Sequence, residues 1–172
     1  MSLTADQQTE TKKKPKETDK IKALLNAYPK LQERIDLAEE RLAFLEYTID
    51  SPSSPSLSGM PGGSRDRTSK QERTYIRKEE LKERLDELYA EESRRREEIE
   101  ELIERMENPN EQTAIEMHYL DGAKWRAISA VLYGNEPDYD ENERRYLKRT
   151  FKVHGSALQT LLRIYNEIHG EP

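Results

Sequence analysis

Cysteine is absent from the chain, which excludes disulfides and thiolate metal sites. The absence fits a reducing compartment, and we expect a cytoplasmic protein. No apolar run approaches the roughly 20 residues that would span a bilayer. Residues 1–18 also lack the apolar segment of a secretory signal, so we interpret them as a disordered polar tail and expect no membrane partner.

Apolar side chains are scarce as well, at 33% of the sequence against 37% charged residues. This composition is too polar for one compact globule of the full length. It favours long solvated helices around a thin apolar seam, plus one small globular unit. No segment alternates between apolar and polar residues for long enough to predict a strand. The sequence therefore predicts an all-α fold, with a long helical hairpin or coiled coil followed by a C-terminal helix-turn-helix domain.

The hairpin is predicted over residues 19–107. Its first helix runs from about Asp19 to Asp50, where apolar residues recur at alternating steps of three and four, the spacing of a coiled-coil seam. These positions are Ile21, Leu24, Tyr28, Leu31, Ile35, Ala38, Leu42, Leu45 and Ile49. Pro29 interrupts this helix, and we expect a kink or a fresh helix start there.

A segment rich in proline, glycine and serine, residues 51–68, is interpreted as the loop between the two long helices. Ser69 and Glu72 have the spacing of a capping box, which predicts a second helix from about Lys70 to Glu107. Its apolar seam positions are Leu81, Leu85, Leu88, Ile99, Leu102 and Met106. Glu92 and Arg95 occupy seam positions between them, and such polar residues weaken a seam and often fix its register.

The remaining residues, 108–172, are predicted to form three helices. Asn108 suits the cap of the first, and Gly122 supplies the left-handed residue that ends it. A short helix follows from Lys124 to Tyr133, then a turn, then a long helix that an Asp140–Glu143 capping box opens and that reaches about Ile168. The inward side chains of the short helix are predicted to be Trp125, Ile128, Val131 and Leu132.

The charge on the last helix is unusual for a chain with a formal net charge of −6. Acidic residues cluster before and at its start, over residues 136–143. From Arg144 to Asn166 the helix carries six basic residues and no acidic one. Leu147, Thr150 and His154 begin the predicted apolar face, and the basic side chains lie largely opposite. Basic side chains at such helical steps are suited to DNA phosphates and guanine edges, whereas the alternative is a solvated helix face.

Two stretches, EQTAIEMHYLDGAKWRAISAVLYG and RTFKVHGSALQTLLRIY, resemble region 4 of bacterial sigma-70 factors. More closely, they resemble the sigma-region-4-like transcription regulators of phages of Gram-positive bacteria, the RinA/ArpU type of late-gene activator. The chain departs from that pattern in two places. About ten residues, GNEPDYDENE, stand where the pattern has a short turn, and Ser129 stands where it favours a small alanine.

The resemblance implies a sequence-specific DNA-binding regulator, a phage or prophage late-gene activator in the cytoplasm of a bacterial host. Arg145, Lys148, Arg149 and Lys152 would face the DNA groove, with Trp125 and Ile128 as scaffold. The full predicted DNA-binding set is Lys124, Arg126, Arg144, Arg145, Lys148, Arg149 and Lys152. The expected partners are promoter DNA, RNA polymerase and a second copy bound through the long helices.

We expect no enzymatic activity, no cofactor and no metal site. The three histidines do not have the spacing of a helical zinc site, and the glycines do not form a phosphate-binding loop. His154 is interpreted as a packed, hydrogen-bonded residue. Two alternatives to a regulator remain: a DNA-binding packaging protein similar to a small terminase subunit, and a coiled-coil adaptor without DNA binding. A basic face packed against the acidic hairpin would favour the adaptor.

Overall fold

In the computed structural model, residues 17–51 and 69–170 are described, and they form helices and turns with no strand among them. The elements are α1 Asp19–Asp50, α2 Lys70–Glu104, α3 Pro109–Ile115, a π-helical segment Glu116–Leu120, α4 Trp125–Tyr133 and α5 Glu143–His169. The all-α prediction is confirmed. No helix in the described ranges is long and apolar enough to cross a membrane. The predicted 51–68 loop falls almost entirely outside the described residues, as does the tail up to residue 16.

The two long helices form an antiparallel hairpin, and a partly buried polar cluster sets their register. The Tyr28 hydroxyl donates to the Glu92 carboxylate at 2.5 Å, and the Gln32 side-chain amide donates to the same carboxylate oxygen at 2.9 Å. Farther along, Lys78 of α2 pairs with Glu46 of α1 at 3.1 Å. A shift of one residue between the helices would break this set, which is the role that polar seam residues often have.

Helix α1 continues without interruption through Pro29, so the expectation of a fresh helix start there is wrong. Proline has no N–H to donate to the carbonyl of Leu25, which costs the helix one hydrogen bond. The neighbouring side chains of Tyr28 and Leu31 are nearly fully buried. Their burial against the rest of the hairpin offsets the local loss.

The largest core lies at the base of the hairpin and joins every helical element of the described ranges except α4. It contains Ile21 of α1, Ile99 of α2, Ile115 of α3, Tyr119 of the π-helical segment and Leu161 of α5. A smaller cluster of Leu31, Ile35, Leu85 and Leu88 continues along the hairpin. The main core therefore spans the sequence boundary predicted at residues 107 and 108, and the C-terminal half of α5 is packed on the hairpin base.

The predicted start signals of α2 and α3 are confirmed. The Ser69 side chain accepts from the Glu72 backbone N–H at 3.1 Å, and the Glu72 carboxylate accepts from the Ser69 N–H. The Asn108 side chain accepts from the Asn110 N–H at 3.0 Å. Gly122 has a φ of 65°, the left-handed value that the end of the helix needs. These local signals fix where the helices begin and end.

A buried carboxylate attaches α3 to α5. Glu111 is only 6% exposed, and it accepts hydrogen bonds from Ser156 Oγ at 2.5 Å and Thr160 Oγ1 at 2.8 Å. A charged group removed from water has to be matched by hydrogen bonds, because its desolvation is costly. The two hydroxyls lie one helical turn apart on α5, so the pair also fixes the rotation of α5 against α3.

Replacing Thr160 with valine should therefore destabilise the protein. The substitution Thr160→Val keeps the shape of the side chain but leaves Glu111 with one hydroxyl donor, and we expect a loss of about 1.5–3 kcal/mol in the free energy of unfolding. Denaturant unfolding measures it. Thr48→Val, which removes an exposed hydroxyl on α1, is the control and should change stability by less than about 0.5 kcal/mol. Equal effects of the two variants would contradict the assignment of Glu111 as an anchor.

Candidate nucleic-acid interface

Helix α4 packs against α5 through one face. Ile128 and Ser129 are almost completely buried, Tyr133 is buried, and Trp125 is half-buried. Val131 was predicted to point inward, but it is 60% exposed, so that prediction is wrong. At 100° per residue, Val131 lies far from the centre of the face that the other four form, and Ser129 takes the buried place instead.

A cluster of ring side chains joins the π-helical segment, α4 and α5. His118 stacks on Trp125 with ring centroids 4.0 Å apart, and Trp125 meets His154 edge-on at 4.9 Å. His154 Nε2 is hydrogen-bonded to the Tyr119 hydroxyl at 3.0 Å. His154 is thus packed and hydrogen-bonded, as expected from its place on the apolar face. The cluster fixes the angle between α4 and α5, because it contacts both helices and the segment before them.

Burial keeps both histidines of the cluster neutral near pH 7. Desolvation lowers the pKa of His154 to about 4, and the nearby His118 and Lys22 act in the same direction. Desolvation also lowers the pKa of His118 below its ordinary value. Neutral rings pack against aromatic neighbours without the cost of a buried charge.

The turn between α4 and α5 is built around Asp138. Its carboxylate accepts hydrogen bonds from the Tyr146 hydroxyl at 2.5 Å and from Asn142 Nδ2 at 3.2 Å. The Tyr146 ring also lies 5.3 Å from the Tyr133 ring and 5.4 Å from the Tyr139 ring. The hydrogen bond from Tyr146, with smaller contributions from Arg145 and Asn142, holds the pKa of Asp138 below its ordinary value. These contacts give the segment from 134 to 142 a defined conformation.

This arrangement corrects the predicted start of the last helix. The Asp140–Glu143 capping box does not form, and α5 begins at Glu143, with Asn142 at the cap position. The side chain of Asn142 bonds back to Asp138 rather than to the helix. The first buried residue on the apolar face of α5 is Tyr146, at 3% exposure, which was not predicted to lie on that face. Leu147, which was predicted to begin the face, is only half-buried. The spacing of Tyr146, Thr150 and His154 could have indicated this.

All seven residues of the predicted DNA-binding set are exposed. Five of them occupy the first three turns of α5, and Lys124 and Arg126 lie at the start of α4. Arg126 Nε is 3.6 Å from the carboxylate of Glu143, the first residue of α5, so the two groups meet at one end of the C-terminal helices. We call this set of seven exposed cationic residues the basic face.

Two arginines of the basic face are paired with nearby acids. Arg145 Nη1 lies 3.6 Å from Asp138, and Arg126 lies 3.6 Å from Glu143. Both arginine side chains are at least 66% exposed, and pairs of this kind contribute little to stability. The other five residues form no salt bridge with any residue of the described ranges.

The acidic hairpin does not cover the basic face. No salt bridge between described residues joins α5 to α1 or α2, and Arg163 pairs with Glu167 of its own helix at 3.1 Å. The hairpin meets α5 through the apolar core formed by residues such as Leu158 and Leu161 instead. The packing that would have favoured an adaptor is therefore not present in residues 17–51 and 69–170.

Nor do these residues place three or more histidine or acidic side chains together as a metal site.

Comparison with known proteins gives one family match. The sequence pattern of DUF1492, described as a protein of unknown function, matches residues 51–145, which is more than half of the chain. The match extends from the segment before α2 to the first turn of α5. No curated protein and no solved structure matches the chain.

The two histidines of the ring cluster predict that stability falls on mild acidification. The unfolded chain binds a proton at His154 below about pH 6.5, whereas the folded protein does so only near pH 4. Between pH 7 and pH 5 the free energy of unfolding should fall, by roughly 2 kcal/mol from His154 alone. Urea unfolding of His154→Gln at both pH values should show a smaller fall than the wild type. His169→Gln, at the exposed end of α5, is the control, and a His154→Gln fall equal to that of the wild type would refute the assignment.

Proposed function

We propose that this chain, which belongs to the DUF1492 family, is a sequence-specific DNA-binding transcription regulator. The observation that carries the proposal is the basic face, whose seven cationic side chains are all exposed. Five of them lie in the first three turns of α5, a helix whose other face is buried, and two lie at the start of α4. In this proposal the first three turns of α5 enter the major groove. Helix α4 lies behind them, in the manner of a helix-turn-helix.

Affinity in this proposal comes from the phosphates. Lys148 and Lys152 lie one helical turn apart, both exposed and without a salt bridge in the described ranges, so they are free to bind along a strand of the backbone. Lys124 and Arg126 at the start of α4 bind the flanking phosphates. The net charge of −6 does not oppose this, because α1 and α2 carry an excess of acidic side chains and lie away from the basic face.

The hairpin is proposed to bind a partner, either a second copy of the chain or RNA polymerase. The far half of α1 exposes large apolar side chains at Leu37, Phe44 and Tyr47. Large exposed apolar residues in a group are typical of interaction surfaces. Together with the resemblance to sigma region 4, this supports the finer proposal of a phage or prophage late-gene activator in the host cytoplasm.

Removing two lysines of the basic face should weaken DNA binding at all sequences. For Lys148→Ala with Lys152→Ala, the slope of log affinity against log salt should become shallower by about 0.9 for each phosphate that is no longer neutralised. Fluorescence anisotropy with the full chain at several salt concentrations measures it. The control is Arg163→Ala, which removes an exposed arginine of the same helix beyond the basic face. A double variant that binds like the wild type, or a wild type that binds no DNA, would overturn the proposal.

The mass of the native protein distinguishes a regulator from a packaging protein. A hairpin that pairs with a second copy predicts a dimer, and one that binds RNA polymerase predicts a monomer, so native mass spectrometry of the full chain should show two subunits or one. Replacing Leu37 and Phe44 with glutamate should convert the dimer to a monomer without changing the helix content, because both side chains are exposed. A ring of many subunits would favour the packaging alternative instead.

A further inference from the structure

Arg149 differs from the other cations of the basic face because its guanidinium lies over two rings. Arg145 lies over one of them, Tyr146, at 6.0 Å, but it also pairs with Asp138. The Cζ atom of Arg149 lies 4.8 Å from the centre of the Tyr133 ring and 5.3 Å from the centre of the Tyr146 ring. One ring belongs to the end of α4 and the other to the first turns of α5. A guanidinium over an aromatic face is attracted by the ring and has less rotational freedom.

The two rings form a rigid support. Tyr133 and Tyr146 are 8% and 3% exposed, and their centroids are 5.3 Å apart. The hydroxyl of Tyr146 is fixed by Asp138 at 2.5 Å, and Asp138 is fixed in turn by Asn142. The position of the Arg149 guanidinium is therefore set by the segment between α4 and α5, which is where the chain departs from the sigma-like pattern.

The hydrogen-bond donors of Arg149 have no acceptor in the described residues. Its only described contacts are the two rings, although Arg145 and Arg126, the other arginines beside α4, each have an acidic partner. Lys148 and Lys152 carry no ring contact in these ranges and have four-carbon flexible stems. Arg149 thus combines exposure, an oriented plane and unused donors.

We propose that Arg149 reads a guanine base in the major groove, and that the remaining cations of the basic face bind phosphates. A planar guanidinium donates two parallel hydrogen bonds to O6 and N7 of guanine, an edge that no other base presents. Holding its plane in advance reduces the conformational entropy that binding removes. This inference rests on the proposed DNA binding and adds to it the residue and the base that set sequence specificity.

The test compares Arg149→Lys with the wild-type full chain. Selection from random DNA first gives the preferred site, and each G·C pair of that site is then changed to A·T in turn. The wild type should lose affinity by about tenfold at one G·C pair or more. Arg149→Lys should bind the selected site about tenfold more weakly and should no longer distinguish G·C from A·T at one of those pairs. Its binding to unrelated DNA and its salt dependence should stay at the wild-type level, because the charge is kept.

Arg163→Lys is the matched control, since Arg163 is an exposed arginine of the same helix that lies beyond the basic face and has no ring contact within the described residues. It should keep wild-type discrimination, and the melting temperature of both variants should show that the fold is intact. If Arg149→Lys weakens binding equally on all sequences, Arg149 is a phosphate contact and the inference is wrong. It is also wrong if Arg149→Lys keeps the discrimination of the wild type, or if Arg163→Lys loses it. If the wild type binds no DNA, the proposed function fails first and this inference fails with it.

Discussion

The C-terminal half of α5 is buried in the core at the hairpin base, and this burial determines where the exposed half of the helix lies. Leu158 and Leu161 of α5 share this core with Ile21 of α1 and Ile99 of α2. With 27 residues, α5 is about 40 Å long, and this core takes only the half from Ala157 onward. The first half is supported by α4 and by the turn before α5. All five basic residues of the set that belong to α5 lie on that half, so the fold separates the anchoring and the charged parts of one helix.

The turn between α4 and α5 has two opposing effects on the basic face. Asp138 positions Tyr146 and thereby the support for Arg149, but it also pairs with Arg145 at 3.6 Å. Glu143 likewise pairs with Arg126. Ion pairs between exposed side chains contribute only about 0–1 kcal/mol, whereas a phosphate contact also gains from counterion release. In the proposed complex, DNA phosphates would therefore displace these acids, and the aromatic support would remain because its rings are buried.

Periodicity and helix-start signals predicted the fold class, both limits of α1 and the start of α2, whereas α2 ends at Glu104 rather than at the predicted Glu107. The seam positions gave α1 as Asp19–Asp50, and the Ser69 capping box gave the start of α2. These features depend on residues close in sequence. The start of α5 was predicted wrongly because the capping-box pattern at Asp140 also fits a turn. The choice between the two depends on the contact of Asp138 with Tyr146, eight residues away.

The candidate site was predicted less completely, for the same physical reason. Exposure of the basic residues followed from helical geometry, and all seven lie on the surface. The predicted helix face was wrong for Val131, which is exposed, and for Tyr146, which is buried. A shift of one residue turns a side chain by about 100° around the helix, so a small error moves it to another face. The contacts of Arg149 with Tyr133, and of Glu111 with Thr160, join residues that are 16 and 49 positions apart. No local pattern encodes such contacts, since they depend on how the helices dock.

The shared core also has a consequence for any partner of the hairpin. Because α1, α2 and α5 meet in one set of buried side chains, the basic face and the far end of the hairpin keep a fixed distance and direction from each other. Helix α1 alone has 32 residues, which is about 48 Å. A partner bound at Phe44 and Tyr47 would therefore hold α5 at a set position relative to itself. In a dimer joined there, this geometry would fix the spacing of the two DNA half-sites, so that the length and register of the hairpin would take part in target selection.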